Sequence, residues 1–347
     1  MKILVVGDSF VPVEVFKKGF AGIERAHEVE YLQLDESHLL EPRSESERSI
    51  REYLGTPGQI AQRVGDVDVL VVHGAPVTAE ILEAAPRLRL LCCARGGPVN
   101  VDVKAASARG IPVVNTPGKN ADAVADQALA FMVMLARGFP RAQGFLLEGN
   151  RLGESAYEGA QFLGHELGGH VLGLVGYGNV GRRVARRALA FGMAVIVYDP
   201  YVQSIDIAGV REASSLAALL EQADFVSLHV RASAKTENLM GRAEFGAMKP
   251  GAWFLNTARE TLVDEAALDA ALSSGRLAGA ALDVVRPHSA GGRHPLLRHP
   301  NVVITPHIGG ATHETLLRGV TMVAAEIERF DAGERLVNVV NRAAVNV

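Results

Sequence analysis

Cysteine is scarce in this chain, which has only two thiols among 347 residues. Cys92 and Cys93 are adjacent inside an apolar run, so they cannot form the spaced disulfide framework that stabilises many secreted domains. Each is predicted to act as a small buried hydrophobic residue. The cysteine content therefore excludes a disulfide scaffold and predicts a cytoplasmic protein in a reducing compartment.

Long apolar runs and long basic runs are also missing. No stretch reaches the roughly 20 apolar residues that span a bilayer, and Met1 leads into a short apolar run typical of a first strand rather than of a signal peptide. The net charge of −4 argues against nucleic acid or an anionic membrane as the main partner. With 48% hydrophobic and 21% charged residues, the chain is predicted to be globular, with about two domains.

A glycine-rich stretch in the second half of the chain is typical of a nucleotide-binding unit. Residues 171–175 form an apolar run of strand type, and three glycines follow it with the G-x-G-x-x-G spacing of a dinucleotide-binding βαβ unit. These glycines permit a tight turn, a close backbone approach to a pyrophosphate, and close packing of helix on strand. The residues predicted to bind the cofactor here are Gly176, Gly178, Asn179, Val180 and Gly181.

An acidic residue stands where such units bind the ribose. A second apolar run, residues 194–198, ends at Asp199, which lies 18 residues after Gly181. A carboxylate there accepts hydrogen bonds from both ribose hydroxyls and repels a 2′-phosphate, and neither Pro200 nor Tyr201 supplies a cation for that phosphate. The pattern predicts NAD rather than NADP, with Asp199 and Pro200 at the ribose.

Short apolar runs alternate with helical patterns along most of the chain. Asn120 is predicted to cap a helix that is apolar nearly all round, and a last helix is predicted at residues 314–330. Six strands are predicted between residues 171 and 305. Four strands are predicted before them, at residues 3–6, 67–72, 88–93 and 112–114. Such alternation predicts doubly wound parallel sheets of the α/β class.

In open parallel sheets, ligands bind beyond the carboxyl ends of the strands. An oxidoreductase that transfers a hydride to NAD needs a cation for the substrate and a group that exchanges the hydroxyl proton. Arg259 offers a bidentate fork for a carboxylate, and His307 offers a base that titrates near neutral pH. The residues that follow the predicted strands are Asp199, His229, residues 256–259, Asp283, His288 and His307.

Five stretches, in order along the chain, resemble the D-isomer-specific 2-hydroxyacid dehydrogenase family, which includes phosphoglycerate, glycerate, D-lactate and formate dehydrogenases. The chain resembles the phosphoglycerate dehydrogenases of this family, and the resemblance covers it from about residue 90 onward. The stretches are NTPGKNADAVAD (115–126), the glycine fingerprint through Asp199, KPGAWFLNTAR (249–259), ALDV (281–284) and TPHIGGAT (305–312).

The resemblance implies an NAD-dependent oxidoreductase that interconverts a D-2-hydroxy acid and its 2-keto acid. It implies that Arg259 holds the substrate, that His307 is the general acid/base, and that Asp283 lies near the nicotinamide carboxamide. The other cofactor contacts that it implies are His229, Val230, Thr236, Thr257, Ala258, His307 and Gly309. The substrate contacts that it implies, besides Arg259, are Ala75, Arg95, Gly96 and Gly97.

The same resemblance implies two doubly wound parallel-sheet domains with a cleft between them. A flavodoxin-like substrate-binding domain is expected to comprise residues 1–119 and 316–347. A Rossmann NAD-binding domain is expected to comprise residues 120–315. Members of the family usually pair through the nucleotide-binding domain, so a homodimer is expected.

One departure from the family lies at the catalytic histidine. The family usually has a Glu five residues after the Asp of its Leu-Asp-Val stretch, and this Glu pairs with the catalytic His. Here the position is His288, and no acidic residue occurs between Val284 and His307. A neutral His288 can orient His307 by a hydrogen bond, but it cannot supply the negative charge. Glu260 is one candidate for that charge; the alternative is that Glu260 faces solvent or pairs with an arginine.

Two further alternatives stay open. The loss of the usual Glu also fits an NAD(H)-binding sensor or protein-interaction module with weak or no turnover. Arg95 either holds a second anionic group of the substrate, such as a phosphate, or bonds to backbone carbonyls or a neighbouring acid. The histidines near the end of the chain fit no compact metal motif, so no metal is predicted.

Overall fold

The computed structural model describes residues 1–36, 38–150, 156–287 and 293–345. It divides into two compact units, the first formed by residues 1–119 with 312–347 and the second by residues 120–311. Among these residues, none of the helices combines the length and the apolar character that a membrane span requires.

Each unit is built around one parallel sheet. The strands of the first are β1 (Lys2–Gly7), β2 (Glu28–Gln33), β3 (Val69–Val72), β4 (Leu90–Cys93) and β5 (Val113–Val114). The strands of the second are β6 (Val171–Val175), β7 (Ala194–Tyr198), β8 (Val210–Glu212), β9 (Phe225–Leu228), β10 (Ala252–Asn256), β11 (Leu277–Leu282) and β12 (Val302–Ile304).

The helices connect these strands and cover the sheets. In chain order they are α1 (Val13–Gly19), α2 (Ile23–Ala26), α3 (Pro57–Ala61), α4 (Ala79–Glu83), α5 (Val103–Ala108), α6 (Ala121–Ala136), α7 (Phe139–Leu147), α8 (Asn179–Ala190), α9 (Leu216–Gln222), α10 (Arg242–Ala247), α11 (Glu265–Ser273) and α12 (His313–Asp331). Short 3-10 turns at Glu260–Leu262 and Pro295–Arg298 follow β10 and precede β12.

The first sheet has the strand order β2-β1-β3-β4-β5, and its pairs are parallel. Strands β3 and β4 are buried along their whole length, as expected for strands with helices on both faces. The sequence did not predict β2, because Glu28 and Glu30 interrupt its apolar pattern and its position at the edge of the sheet leaves it half-exposed.

The second sheet has the order β12-β11-β10-β9-β6-β7-β8 and is also parallel throughout. From β6 the chain adds β7 and β8 on one side and then returns to add β9 to β12 on the other side. The glycine fingerprint after β6 therefore lies at the switch point where such sheets bind ligands. The sequence predicted six strands here. The structure adds β8, a three-residue edge strand (Val-Arg-Glu) that is too short and too polar to give an apolar run.

Helix α12 belongs to the first unit, and its apolar face packs in the same buried cluster as β1 and α1. The members that α12 contributes are Val320, Val323, Ala324 and Ile327. The chain re-enters the first unit at Thr312. The Thr312 hydroxyl accepts a hydrogen bond from the N–H of Thr315 at 3.2 Å and so caps the helix. The sequence placed this boundary at residue 316.

Candidate active site

The glycine fingerprint forms a tight turn between β6 and α8. Gly176 has a φ of +103°, which favours glycine, and a Cβ there would lie 2.7 Å from the carbonyl carbon of His229. A Cβ at Gly181 would lie 2.3 Å from the Gly176 oxygen. At Gly178 a Cβ would meet nothing within 4 Å, so open space lies beside the first turn of α8, where Asn179, Val180 and Gly181 have no intrahelical acceptor for their N–H groups. This arrangement fits a bound pyrophosphate.

Asp199 is fixed at the end of β7 by backbone donors. Its Oδ2 accepts from the Tyr177 N–H at 2.8 Å, and its Oδ1 accepts from the Tyr201 N–H at 3.0 Å. A cavity of about 500 Å³ opens beside it, lined by Tyr198, Asp199, Pro200, Glu212, Ala213 and Ser214. Two acidic residues and no cation line this cavity, which suits a ribose with free hydroxyls rather than a 2′-phosphate.

His229 and Val230 follow β9 beside the glycine turn. The His229 N–H donates to the Val175 oxygen at 2.8 Å, and its Nε2 lies 3.0 Å from the Ser227 hydroxyl. Burial lowers the pKa of His229 to about 4, so the ring is neutral. Thr236 closes the same loop by donating to the Arg231 oxygen at 2.8 Å.

Arg259 projects from a turn that follows β10. The Asn256 side chain accepts from the Ala258 N–H at 3.0 Å and donates to the Arg259 oxygen at 2.8 Å, which fixes the turn. The Arg259 side chain is exposed, donates to the Ala258 oxygen at 2.6 Å, and has no ion pair within the described residues. The buried hydroxyl of Thr257 has no hydrogen-bond partner in that part of the chain, so it is available to a ligand.

Asp283 organises the loop that follows β12. The residue is 2% exposed, and its Oδ1 accepts from the Thr305 hydroxyl at 2.6 Å, the Ile308 N–H at 2.8 Å and the Gln127 amide at 3.0 Å. Its Oδ2 accepts from the Gly309 N–H at 2.8 Å. The carboxylate therefore fixes residues 305–309, and Oδ2 keeps the capacity to accept one more bond.

His307 lies at the centre of this loop. Its N–H donates to the Asp283 backbone oxygen at 2.9 Å, and its φ of +56° is a left-handed conformation that non-glycine residues rarely adopt. The side chain is exposed. The second histidine that the sequence predicted to be catalytic, His288, lies outside the described residues. Glu260 forms no ion pair or hydrogen bond through its side chain among the residues described, so nothing there links it to His307.

The remaining predicted substrate residues lie in the first unit, after β3 and β4. Buried Asn100 donates to the Ala75 oxygen at 2.7 Å. Gly96 and Gly97 are exposed. Arg95 donates to the Glu52 carboxylate at 2.6 Å and to the Glu52 backbone oxygen at 2.8 Å. Of the two alternatives for Arg95, the structure thus shows the pairing with a neighbouring acid.

Sequence reasoning missed a polar cluster at the carboxyl ends of β1, β3 and β4. Fully buried Asp8 accepts from the His73 ring at 2.9 Å and from the Gly74 N–H at 2.7 Å. Phe10 stacks on His73 with ring centroids 5.4 Å apart, and Lys119 donates to the Ala94 oxygen at 2.6 Å. The strand-end rule, applied to the first sheet as it was to the second, identifies Asp8 and His73.

The second unit, which carries the glycine turn, Asp199 and Asp283, matches a known protein family. Residues 129–309 match the family model for the NAD-binding domain of D-isomer specific 2-hydroxyacid dehydrogenases. The chain belongs to this family. The match confirms the predicted family. Because the family model describes an NAD-binding domain, the match also confirms NAD as the cofactor.

Two named relatives support membership of this family over a larger part of the chain than the family model covers. The glyoxylate reductase of Korarchaeum cryptofilum is 41% identical over 292 residues, which are 83% of this chain and 87% of that protein. The D-3-phosphoglycerate dehydrogenase of Methanocaldococcus jannaschii is 38% identical over 289 residues, which are 82% of this chain. The match covers 54% of that second relative, so the chain spans about half of its length.

A solved structure confirms the predicted α/β fold class. The structure of D-2-hydroxyisocaproate dehydrogenase superposes with a TM-score of 0.82 at 26% identity, and the match covers 98% of this chain and 99% of that one. These three relatives are named as dehydrogenases or reductases, so the alternative of an NAD(H) sensor without turnover has no support.

Proposed function

We propose that the chain is an NAD-dependent oxidoreductase that interconverts a small 2-keto acid and the corresponding D-2-hydroxy acid. The observation that carries the proposal is that Arg259 follows β10 and the His307 loop follows β12, at the same edge of the sheet, with Asp283 between them at the end of β11. The Asp283 N–H donates to the Asn256 oxygen at 2.9 Å, so the residue that fixes the His307 loop is bonded directly to the turn bearing Arg259. A cation for the substrate and a titratable ring are the two groups that carbonyl reduction needs.

Each side chain has a distinct task in this reaction. When bound, NADH supplies the hydride that reduces the keto carbon. The Arg259 guanidinium, which has no carboxylate partner in the described part of the chain, binds the substrate carboxylate and polarises the carbonyl. The protonated His307 ring donates its proton to the carbonyl oxygen as the hydroxyl forms, and the neutral ring accepts that proton in the oxidation direction.

The residues proposed to hold NAD lie at the carboxyl edge of the second sheet. The glycine turn and the start of α8 would hold the pyrophosphate, and Asp199 with Pro200 would hold the ribose. The free Oδ2 position of Asp283 would accept from the nicotinamide carboxamide. The other proposed contacts are His229, Val230, Thr236, Thr257, Ala258, His307 and Gly309.

The loop after β4 is proposed to bind the substrate, together with the neighbouring loop at Ala75. The N–H groups of Gly96 and Gly97 donate to no backbone acceptor among the described residues, and both residues are exposed. Two successive free N–H groups form a binding site for a carboxylate.

We propose that the substrate carries no second anionic group. The Arg95 guanidinium is occupied by Glu52, so the charge that would bind a phosphate is already neutralised within the first unit. The relative with 41% identity is called a glyoxylate reductase, which agrees with a substrate of this size.

Rates of NADH oxidation with glyoxylate, hydroxypyruvate and 3-phosphohydroxypyruvate test this proposal. The wild type should prefer the two unphosphorylated acids. Glu52→Ala should raise kcat/KM for the phosphorylated acid roughly tenfold, because it frees the Arg95 charge, whereas Glu45→Ala, at an exposed acid of the same segment, should not. Wild-type preference for the phosphorylated acid would overturn the substrate class, and absence of turnover with every acid would overturn the function.

We also propose a homodimer that forms through the second unit. No side chain of α7 is buried. Its residues Phe139, Leu146 and Leu147, with Leu163 further along the chain, expose between 48% and 82% of their surface. The two segments are in contact, because the Phe145 and Phe162 ring centroids lie 5.3 Å apart, and clustered exposed apolar residues mark protein interfaces.

A cytoplasmic location is the remaining part of the proposal. Cys92 and Cys93 are free and fully buried on β4. Burial raises the pKa of the Cys93 thiol to about 11, which keeps it protonated and unreactive. Unpaired thiols of this kind suit a reducing compartment.

A further inference from the structure

Lys119 is a buried cation that the proposed reaction does not use. The residue is 7% exposed. Its ammonium donates to the Ala94 oxygen at 2.6 Å, and no carboxylate of the described residues lies within ion-pair distance of it. A buried ammonium without an anion is unfavourable, so its retention calls for a compensating task.

The segment of residues 115–119 donates hydrogen bonds to three successive backbone carbonyls of the loop after β4. The Lys119 ammonium donates to the Ala94 oxygen, the Thr116 N–H donates to the Arg95 oxygen at 2.9 Å, and the Asn115 side chain donates to the Gly96 oxygen at 2.7 Å. In a trans peptide the N–H points away from the preceding C=O, and the chain has no cis peptide among the described residues. The N–H groups of Gly96 and Gly97, which are exposed residues, therefore point away from this segment.

Helix α12 closes the other side of Lys119. A Cβ at Gly319 would lie 2.8 Å from the Lys119 Cδ, and the Arg318 guanidinium donates to the Lys119 backbone oxygen. The helix thus confines the side chain, so the ammonium stays at the Ala94 carbonyl rather than extending into solvent.

None of the charged groups around Lys119 forms an ion pair with it among the described residues. On β4 and the following loop it faces the Cys93 thiol, which is protonated because its pKa is about 11, and Arg95, which is paired with Glu52. From the ends of β1 and β3 it faces His73, whose pKa burial lowers, and the Asp8 carboxylate, which bonds to His73 and lies beyond ion-pair distance of the Lys119 ammonium. From α12 it faces the Arg318 cation. A bound substrate carboxylate would bring a further negative charge to a lysine that has no ion-pair partner among these groups.

We propose that Lys119 is a positioning residue for the substrate carboxylate: it fixes the loop of residues 94–97 and places a positive charge behind the free N–H groups of Gly96 and Gly97. This inference rests on the proposed function, in which those groups bind the substrate. It assigns the charge of the subsite to a buried side chain rather than to Arg95.

Steady-state kinetics of Lys119→Met with glyoxylate and NADH test the inference. We expect KM for glyoxylate to rise roughly 10- to 100-fold, the effect of losing a charge-assisted contact, while kcat and the Kd of NADH change less than about twofold. Lys104→Met removes an exposed lysine of the same unit and should behave as wild type. A KM within about twofold of the wild-type value would overturn the inference.

The pH dependence separates a charge effect from a merely structural one. Burial lowers the pKa of Lys119 to about 8, so the wild-type KM for glyoxylate should rise as the pH increases through about 8. This rise should be absent in Lys119→Met, and Lys119→Arg should move it to higher pH because guanidinium keeps its proton. Identical KM profiles in wild type and Lys119→Met would contradict the inference.

Calorimetric binding of oxamate, an unreactive carboxylate analogue, distinguishes this inference from the proposed function. Weaker oxamate binding by Lys119→Met supports the subsite even if the wild type reduces no acid in the panel, in which case only the function fails. Equal binding by both proteins, with wild-type turnover intact, overturns the role of Lys119 alone. No oxamate binding by the wild type overturns the subsite.

Discussion

A lysine buried without a carboxylate partner weakens the folded state. Burial lowers the pKa of Lys119 from 10.5 to about 8, while the unfolded chain keeps the ordinary value. Below pH 8 both states bind the proton, and the folded state then bears a penalty of about 3 kcal/mol. Because the unfolded state holds more protons between about 8 and 10.5, stability rises with pH across that window.

Lys119→Met should therefore stabilise the protein while it weakens substrate binding. We expect the free energy of unfolding at pH 7 to increase by about 1–3 kcal/mol, since the lost hydrogen bond to Ala94 offsets part of the gain. The increase should shrink toward pH 10, where the wild-type lysine is neutral in the fold. Urea denaturation at both pH values measures this effect, and a variant less stable than the wild type at pH 7 would contradict it.

Asp283 holds the His307 loop through four donors, and an isosteric amide cannot replace it. In Asp283→Asn one carboxylate oxygen becomes an NH₂ group that faces N–H or hydroxyl donors, so at least one buried donor loses its acceptor. We expect a loss of about 1–3 kcal/mol in unfolding free energy and a fall in kcat as His307 loses its fixed position. Thermal melting and kcat for glyoxylate measure both, and an unchanged kcat would show that the loop does not depend on this carboxylate.

At the residue scale, the sequence predicted the side chains that follow strands but not the contacts between distant loops. Asp199, Arg259 and His307 were found because the carboxyl ends of parallel strands share one edge. The pairing of Arg95 with Glu52 was left as one of two alternatives, since Glu52 is 43 residues away in a polar segment without a clear period. Lys119 escaped notice because its burial depends on the approach of α12.

At the scale of elements, the packing of α8 on the glycine turn allows no side chain at Gly181. Because a Cβ there would lie 2.3 Å from the Gly176 backbone oxygen, Gly181→Ala must displace the helix or the turn. We expect the Kd of NADH to rise at least about tenfold and the unfolding free energy to fall by about 1–3 kcal/mol. Gly246→Ala in α10, where a Cβ meets nothing within 4 Å, should keep wild-type affinity. NADH fluorescence titration compares the two, and equal affinities would contradict the expectation.

The sequence predicted the buried elements better than the edges. Strands such as β3, β4 and β10 are continuous apolar runs because both of their faces are covered. Strands β2 and β8 lie at sheet edges, where charged residues such as Glu28 and Arg211 are tolerated and the apolar signal is lost. Their existence follows from pairing with a neighbour, which a single segment of sequence does not show.

At the scale of the whole molecule, the exposed apolar side chains of the second unit predict self-association. The double variant Leu147→Glu, Leu163→Glu should be monomeric, because it places two charges on a surface that is apolar in the wild type. Val337→Glu, at an exposed apolar position of the first unit, should leave the dimer intact. Light scattering coupled to size-exclusion chromatography measures the mass, and a monomeric wild type or a dimeric double variant would contradict the proposal.

The family and the two-sheet architecture were accessible from the sequence because motifs with fixed spacing recur at each strand end. The choice of substrate was not, since it depends on whether charged side chains such as Arg95 are neutralised by other parts of the chain. Folding decides that pairing, and the pairing in turn favours a small acid with a single carboxylate.

In the proposed reaction, His307 exchanges the proton in an NADH-dependent reduction of a 2-keto acid. The most direct test of this role is the rate of NADH oxidation with glyoxylate by the wild type and by His307→Ala, alongside NADH binding to each. We expect turnover by the wild type, a loss of roughly 10²–10⁴-fold in kcat for the variant, and equal NADH affinity. A variant that turns over glyoxylate as fast as the wild type would contradict it.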